Sequence, residues 1–105
     1  MVKFSNNAIT ALSFDIDRSA TTIVVRDGSV FPALSSSDHT YITLEDRSRN
    51  VFEIVKCTAR SGDSLTVERG VDGTRPVSFA AGTMAEGRLN AAALNEVAGG
   101  SELLV

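Results

Sequence analysis

The most informative segment of this chain is Asp63-Ser-Leu-Thr-Val-Glu-Arg-Gly-Val-Asp-Gly-Thr74, because it joins an alternating strand to a glycine-rich turn. Leu65 and Val67 point to one side of an extended backbone, and the polar residues beside them point to the other. Gly70 and Gly73 allow the backbone to turn where a side chain would clash. The pattern predicts a half-buried strand that ends in a tight loop.

Two more strands precede this one. The segments Tyr41–Glu45 and Asn50–Ala59 flank a polar turn at Asp46–Arg49, a combination that favours a hairpin. Ser61-Gly62-Asp63 then predicts a second, tighter hairpin into the strand Ser64–Arg69. Three consecutive strands should therefore form an antiparallel meander.

The first third of the chain carries two further strand patterns. Thr21–Arg26 is rich in β-branched residues and is followed by Asp27-Gly28, a turn signal. Leu12–Asp17 alternates strictly between apolar and polar residues, which predicts a half-buried strand. Its apolar face would carry Leu12, Phe14 and Ile16.

The chain changes character near its C-terminal end. A short extended piece at Thr83–Glu86 precedes Asn90, which can cap a short helix over Ala91–Val97. Gly99-Gly100 can end this helix, and the apolar tail Leu103–Val105 follows. A helix of barely two turns is not stable alone and must dock against another surface.

We therefore predict an all-β fold, a small antiparallel β-sandwich or partly closed barrel with an N-terminal arm and a short C-terminal helix. At 105 residues the chain is long enough for one domain. Residues 1–11 form the arm, 12–88 the β-domain, and 89–105 the helix and tail. The loop Val71–Phe79 is the candidate to cap one end of the β-domain.

Composition weighs against several classes of partner. The net charge is −3 and the pI is near 5.0, whereas binding to a phosphate backbone needs clustered basic residues. The chain has no Trp and one Tyr, so it offers few stacking surfaces for bases or sugars. No apolar run approaches the roughly 20 residues that span a bilayer, and the N-terminus lacks a signal-peptide pattern. We expect neither nucleic acid nor membrane as a partner.

Candidate catalytic and metal-binding residues are sparse. His39 and Cys57 could form a base and a nucleophile, but Cys57 falls on the inward face of its strand, where an inert buried thiol is the commoner outcome. Asp15 and Asp17 share a strand face but lack the glycine and the later glutamate of a calcium loop. We therefore expect no catalytic residue, no metal and no cofactor.

The glycine-rich segment Arg69–Thr74 lacks the lysine of a phosphate-binding P-loop and the spacing of a dinucleotide fingerprint. Its Asp72-Gly73 is more simply a turn. Arg69, which follows Glu68, could anchor the loop by an ion pair or by hydrogen bonds to carbonyl groups.

Short motifs along most of the chain resemble a small β-module of tailed-bacteriophage virion proteins, often found at the N-terminal end of tail-fibre proteins. The matching motifs are Phe4–Ala8, Thr22–Val25, Phe31-Pro32, Tyr41 with Leu44, Glu53–Val55, Arg69-Gly70, Gly73-Thr74, Ala81-Gly82, Arg88-Leu89 and Ala91–Leu94. The chain departs from the pattern at Phe79, where relatives tend to carry Trp. It also departs at Gly87, which should weaken the last strand as a paired element.

The resemblance implies a non-enzymatic virion protein, assembled in the host cytoplasm, that docks onto other virion proteins at the base of a tail fibre. Receptor recognition is not carried over, because fibres continue past this module into a shaft and the present sequence stops at Val105. The alternative is a capsid decoration or head-fibre protein that contacts the major capsid protein. A third possibility, from another class, is an enzyme or ligand-binding β-domain.

The resemblance also implies a homo-oligomer, with a trimer favoured. Apolar residues near both ends of the chain are the candidate protein–protein contacts: Phe4, Ile9, Leu89, Leu94, Val97, Leu103 and Leu104. Removing residues 1–8 or 98–105 would then impair incorporation into the virion. A helix and tail folded back on their own domain are an equally open reading of the C-terminal segment.

Overall fold

The computed structural model describes residues 1–99, and it describes side chains as far as Val97. Within that range the chain is mainly antiparallel β-structure with one short C-terminal helix, as predicted. A single turn of 3-10 helix occupies Gly28–Val30. The other elements are β1 (Ile9–Ala11), β2 (Thr22–Val24), β3 (Thr40–Asp46), β4 (Val51–Ser61), β5 (Ser64–Val71), β6 (Met84–Gly87) and α1 (Ala91–Gly99).

The six strands described form one curled, half-barrel sheet in the order β1-β6-β3-β4-β5-β2. The predicted meander is its centre, since β3 pairs with β4 and β4 pairs with β5. The two edge strands meet at one corner through a bridge between Leu12 and Val25. There Arg26 N donates to Ala11 O and Ser13 N donates to Val24 O, both at 2.9 Å. The sheet is therefore closed at this corner, as expected for the predicted partly closed barrel.

The main core fills the concave side of the curled sheet, where aliphatic side chains from all six strands or their extensions meet two phenylalanines. Phe79 fills this core from the loop before β6, and Phe31 does so from the segment after the 3-10 helix. The largest fully buried aliphatic side chains are Leu12, Ile23, Ile42, Leu44, Leu65, Val25 and Val55. Burial of this kind contributes roughly 1.5–3 kcal/mol for each large side chain, so these residues carry most of the stability.

A second, smaller cluster lies on the opposite, convex side of the sheet. Tyr41 on β3 and Ile54 on β4 are buried there beneath Ala93 of α1. Val2 packs against the same cluster, because the N-terminal segment runs beside His39 in a parallel bridge. The helix thus covers part of the sheet that the main core does not reach.

The first strand pattern is wrong in one respect. Leu12 and Ile16 are buried as predicted, but the chain bends at Ser13 and Phe14, and Phe14 is 64% exposed. The cause is non-local, since Ile16 pairs with Phe79 through two backbone hydrogen bonds of 2.8 and 3.0 Å. The segment Leu12–Asp17 therefore serves as a bent connection between two bridges.

The predicted N-terminal arm is also shorter than residues 1–11. Ile9–Ala11 belongs to the sheet as β1 and pairs with β6. Ala8 is buried in the main core, so the arm has an anchoring point just before the strand.

Gly87 does not weaken the last strand. It pairs with Ile42 of β3, and its N–H donates to Ala8 O at 2.8 Å. A Cβ atom at this position would lie 3.1 Å from the Cβ of Ala8. Glycine fits at position 87 because the segment at Ala8, just before β1, comes very close to β6. Close approach of two backbone segments is one of the uses of glycine inside a strand.

Candidate functional site

Two of the predicted interface residues lie together at one groove. Phe4 and Leu89 are 51% and 65% exposed, and both line the same half-enclosed groove of about 210 Å³. The buried side chains of Phe31 and Ala8 lie deeper in this groove. The close approach at Gly87 brings the two rim residues to one place, although they are far apart in the sequence.

The other predicted interface residues lie elsewhere. Ile9 is 52% exposed on the edge strand β1, while Leu94 is 45% exposed and Val97 half-buried on α1. Leu103 and Leu104 lie outside the described residues. The structure thus joins Phe4 with Leu89 and leaves Ile9, Leu94 and Val97 outside that groove.

The charged residue of the groove is already paired. Arg88 donates from Nη2 to Glu45 Oε1 and from Nε to Glu86 Oε1, both at 2.6 Å. The hydrogen bond to Glu45 is the main cause of a raised pKa for the Arg88 guanidinium, and the same bond holds the pKa of Glu45 below its usual value. Because this cation is satisfied within the chain, the groove offers apolar contact more than free charge.

The helix α1 is fixed at both of its ends. Asn90 Oδ1 accepts a hydrogen bond of 2.8 Å from Ala93 N, so Asn90 is the N-cap that the sequence predicts. Near the other end, Glu96 Oε2 lies 2.6 Å from His39 Nε2, and Glu96 Oε1 accepts a hydrogen bond of 2.7 Å from the Tyr41 hydroxyl. The His39 and Tyr41 rings meet edge to face at 5.4 Å.

Burial is the main cause of a raised pKa for the Tyr41 hydroxyl, followed by its hydrogen bond to Glu96. Burial also acts to raise the pKa of Glu96, but hydrogen bonds from Tyr41 and His39 outweigh it and leave that pKa lowered. The ionised carboxylate of Glu96 is therefore the form that the folded chain favours.

Glu53 and Arg69 form a buried ion pair, with side-chain exposures of 0% and 5%. Arg69 donates from Nε and Nη2 to the two carboxylate oxygens of Glu53 at 2.7 and 2.8 Å. The same oxygens accept from the backbone N–H groups of Gly70 and Val77, each at 2.8 Å. Every hydrogen-bonding direction of this carboxylate is used, which is what a buried charge requires.

Arg69 also joins segments that are distant in the sequence. Its Nη1 donates to the carbonyl groups of Asp17 and Ala20, and its Nη2 donates to Val77 O. The hypothesis that Arg69 anchors its loop is confirmed, although the ion-pair partner is Glu53 and not the adjacent Glu68. Glu68 instead lies 3.9 Å from Lys56 on the convex face.

His39 and Cys57, the candidate base and nucleophile, each have other partners. Cys57 is fully buried, and its thiol donates to Ala59 O at 3.4 Å. Burial raises the pKa of this thiol to about 11, so it is protonated near neutral pH. His39 lies against Glu96 and Tyr41, as described above. Cys57 is therefore a buried, protonated thiol, and His39 contacts Glu96 of α1.

The two aspartates of the Leu12–Asp17 segment have structural partners. Asp15 accepts a hydrogen bond of 2.8 Å from Ala81 N, which ties this segment to the loop before β6. Asp17 accepts from the backbone and hydroxyl of Ser19, and the hydroxyl bond is the main cause of its lowered pKa. Both carboxylates thus stabilise turns.

Sequence reasoning missed two of these groups. Glu53 alternates with Val51 and Val55 on the inward face of β4, and a lone acidic residue in such a pattern signals a buried basic partner. The contact between Glu96 and Tyr41 had no comparable signal, because 55 residues separate them and only the docking of α1 brings them together.

Membrane-spanning helices and metal-ligand clusters are both absent from the part of the chain that the structure describes. No helix in residues 1–99 is long and apolar enough to cross a bilayer. In the same range, no group of three or more His, Cys, Asp or Glu side chains could hold a metal ion. Comparison with known proteins finds no matching family model and no matching curated protein.

Proposed function

We propose that this chain is a non-enzymatic structural protein of a bacteriophage virion, a module at the base of a tail fibre that docks onto other virion proteins. The observation that carries the proposal is the groove rimmed by Phe4 and Leu89. Both residues belong to motifs that resemble the phage module. Both also expose large apolar side chains over a concave surface, the kind of position at which interface anchors are found.

The closed corner of the sheet supports docking through side chains. Each edge strand is only three residues long, and the backbone beyond them pairs at Leu12 and Val25. Short and mutually paired edges offer little backbone for an added strand from a partner. The groove rimmed by Phe4 and Leu89 is then the surface on which a partner would bury the most apolar area.

The test replaces each rim residue and compares it with an exposed phenylalanine elsewhere. Phe4→Asp and Leu89→Asp place a charge in the groove, whereas Phe14→Asp and Phe52→Asp alter residues that are 64% and 53% exposed outside it. Particles are assembled with each variant, and the amount of the chain per particle is measured by quantitative mass spectrometry. Circular dichroism confirms that each variant is folded.

We expect the two groove variants to be lost from the particle and the two controls to be retained. Truncation of an interface anchor costs about 2 kcal/mol or more, which is roughly a thirtyfold loss of affinity. Point substitutions are cleaner than removal of residues 1–8, because Ala8 is part of the main core. Equal incorporation of all four variants would place the contact on another surface.

Fractionation of tails and capsids shows where the chain resides. Recovery with capsids would favour the decoration protein over the tail module. Absence of the chain from all particles would contradict both virion proposals and would favour an enzyme or ligand-binding domain. A solution mass of three chains, measured by light scattering, would fit the trimer that fibre-like assembly implies.

A further inference from the structure

The attachment of α1 depends on few contacts. The helix has nine residues, which is too short to be stable in water without tertiary contacts. Its buried contact with the sheet is Ala93, a small side chain that packs with Tyr41 and Ile54, and the partly buried Ala92 packs against the same cluster. No residue of α1 belongs to the main core described for residues 1–97. The sheet can therefore keep its core whether or not the helix is docked.

Glu96 supplies the polar part of this attachment. Each of its carboxylate oxygens meets a different donor on the sheet, His39 Nε2 at 2.6 Å and the Tyr41 hydroxyl at 2.7 Å. Hydrogen bonds to an ionised acceptor are about twice as strong as neutral ones, and this carboxylate makes two. The Glu96 side chain remains 38% exposed, so protons from solvent reach it.

We propose that Glu96 is an acid-sensitive latch, which holds α1 on the sheet while its carboxylate is ionised and releases the helix when it is protonated. The half-barrel stays folded in both states. Because Leu94 and Val97 lie on α1, the latch also sets where these two apolar side chains are presented. The inference does not depend on the proposed function.

The charges around the latch favour the ionised form. Lys56 of β4 acts on Glu96 with the same sign as His39, and both favour the carboxylate. Burial and the hydrogen bond to Glu96 raise the pKa of the Tyr41 hydroxyl, and Glu68 of β5 and Asp72 of the following turn also disfavour the tyrosinate. Since Tyr41 therefore stays protonated, it remains a donor to Glu96 across the acid and neutral range.

The direction of the pH effect follows from these contacts. The pKa of Glu96 is lower in the folded chain than its ordinary value of 4.5. Docking is therefore complete above that value and is lost as the pH falls through the lower, folded value. Release occurs on the acidic side of pH 4.5.

The chain carries its own reporter, since Tyr41 is its only tyrosine and there is no tryptophan. All tyrosine emission therefore comes from one residue, and that residue is a hydrogen-bond partner of Glu96. Glu96→Gln should show at pH 7 the emission that the native chain reaches only in acid. Amide exchange in α1 should accelerate about tenfold to a hundredfold, the factor for loss of a hydrogen bond to a charged group. Core amides in β3 and β4 should keep their protection.

Glu68→Gln is the matched control, because it removes a carboxylate from the same face of the sheet without touching Glu96. It should leave the amide exchange of α1 unchanged at pH 7, because no hydrogen bond or ion pair within residues 1–97 joins Glu68 to the helix. His39→Gln, which removes one partner of Glu96, should move the acid transition to higher pH. An acid change in tyrosine emission that coincides with loss of the β-sheet circular dichroism would overturn the proposal. An unaltered acid transition in Glu96→Gln would do the same.

Discussion

Removal of one partner from the buried Glu53–Arg69 pair should destabilise the chain severely. In Arg69→Met the carboxylate of Glu53 remains at 0% exposure without its cation, and the carbonyl groups of Asp17, Ala20 and Val77 lose their donor. Breaking a buried pair in this way costs about 3–5 kcal/mol. Small domains have a total stability of roughly 5–15 kcal/mol, so the variant should be close to unfolding.

Urea denaturation followed by circular dichroism measures this loss. With a slope of about 1–2 kcal/mol per molar urea for a domain of this size, the midpoint should fall by roughly 2–4 M. The double variant Glu53→Met with Arg69→Met leaves no unpaired charge, so its loss should be smaller than the sum of the two single losses.

The surface pair of Lys56 and Glu68 gives the comparison. Its charged groups are 3.9 Å apart and its side chains are 31% and 61% exposed, so Lys56→Met should cost less than about 1 kcal/mol. A loss below 1 kcal/mol in Arg69→Met, or strict additivity in the double variant, would refute the view that this pair fixes the loop.

Three further outcomes follow from the contacts of single residues. Gly28→Ala should lower the free energy of unfolding by about 1–3 kcal/mol, because the new Cβ would lie 2.2 Å from Gly62 O. Thermal denaturation measures this loss, and a stability equal to that of the native chain would contradict the packing. Burial raises the pKa of the Cys57 thiol to about 11, so a thiol reagent at pH 8 should modify it in urea but hardly at all in the native chain. Hydrogen bonds from Ser48 and Arg49 lower the pKa of Asp46 to about 2, so the β3–β4 turn should lose support only as the pH falls from 3.8 toward that value. In NMR, the amide signal of Ser48 should titrate near the lowered pKa of Asp46. The same signal should not respond to pH in Asp46→Asn.

The meander and the helix could be predicted because their signals are local. Period-two alternation and a glycine turn suffice for β4 and β5, and Asn90 before three alanines suffices for the start of α1. The bend after Leu12 could not be predicted in this way. It depends on the pairing of Ile16 with Phe79, which lie 63 positions apart in the printed sequence.

The candidate site was predicted only residue by residue. Phe4 and Leu89 stood out as apolar residues near the ends, but the groove between them needs Ala8 and Gly87 to pack at close range. The sequence predicted that Arg69 anchors its loop but did not identify Glu53, on the neighbouring strand β4, as its partner. Side-chain partners across a sheet depend on the register of the strands. The register is set by which side chains the folded core buries, so it cannot be read from local sequence.

The motifs on which the predicted resemblance to a phage module rests fall into two groups. Glu53 and Arg69-Gly70 meet in one buried arrangement, in which a Cβ on Gly70 would lie 2.6 Å from Pro76, and the half-buried Thr74 accepts a hydrogen bond from Ile54 N on the same strand as Glu53. Such residues are needed to fold the domain, so their presence bears on fold and says little about a partner.

Phe4 and Leu89 belong to the second group, because they lie in the same set of motifs yet leave more than half of their side chains exposed. Folding gains little from a large apolar side chain in that position, and exposure makes it prone to unwanted contacts. We propose that a partner covers the surface that keeps both residues at the rim of one groove. That groove is therefore the first place to test for a partner, whereas the buried Glu53–Arg69 pair serves to hold the domain together.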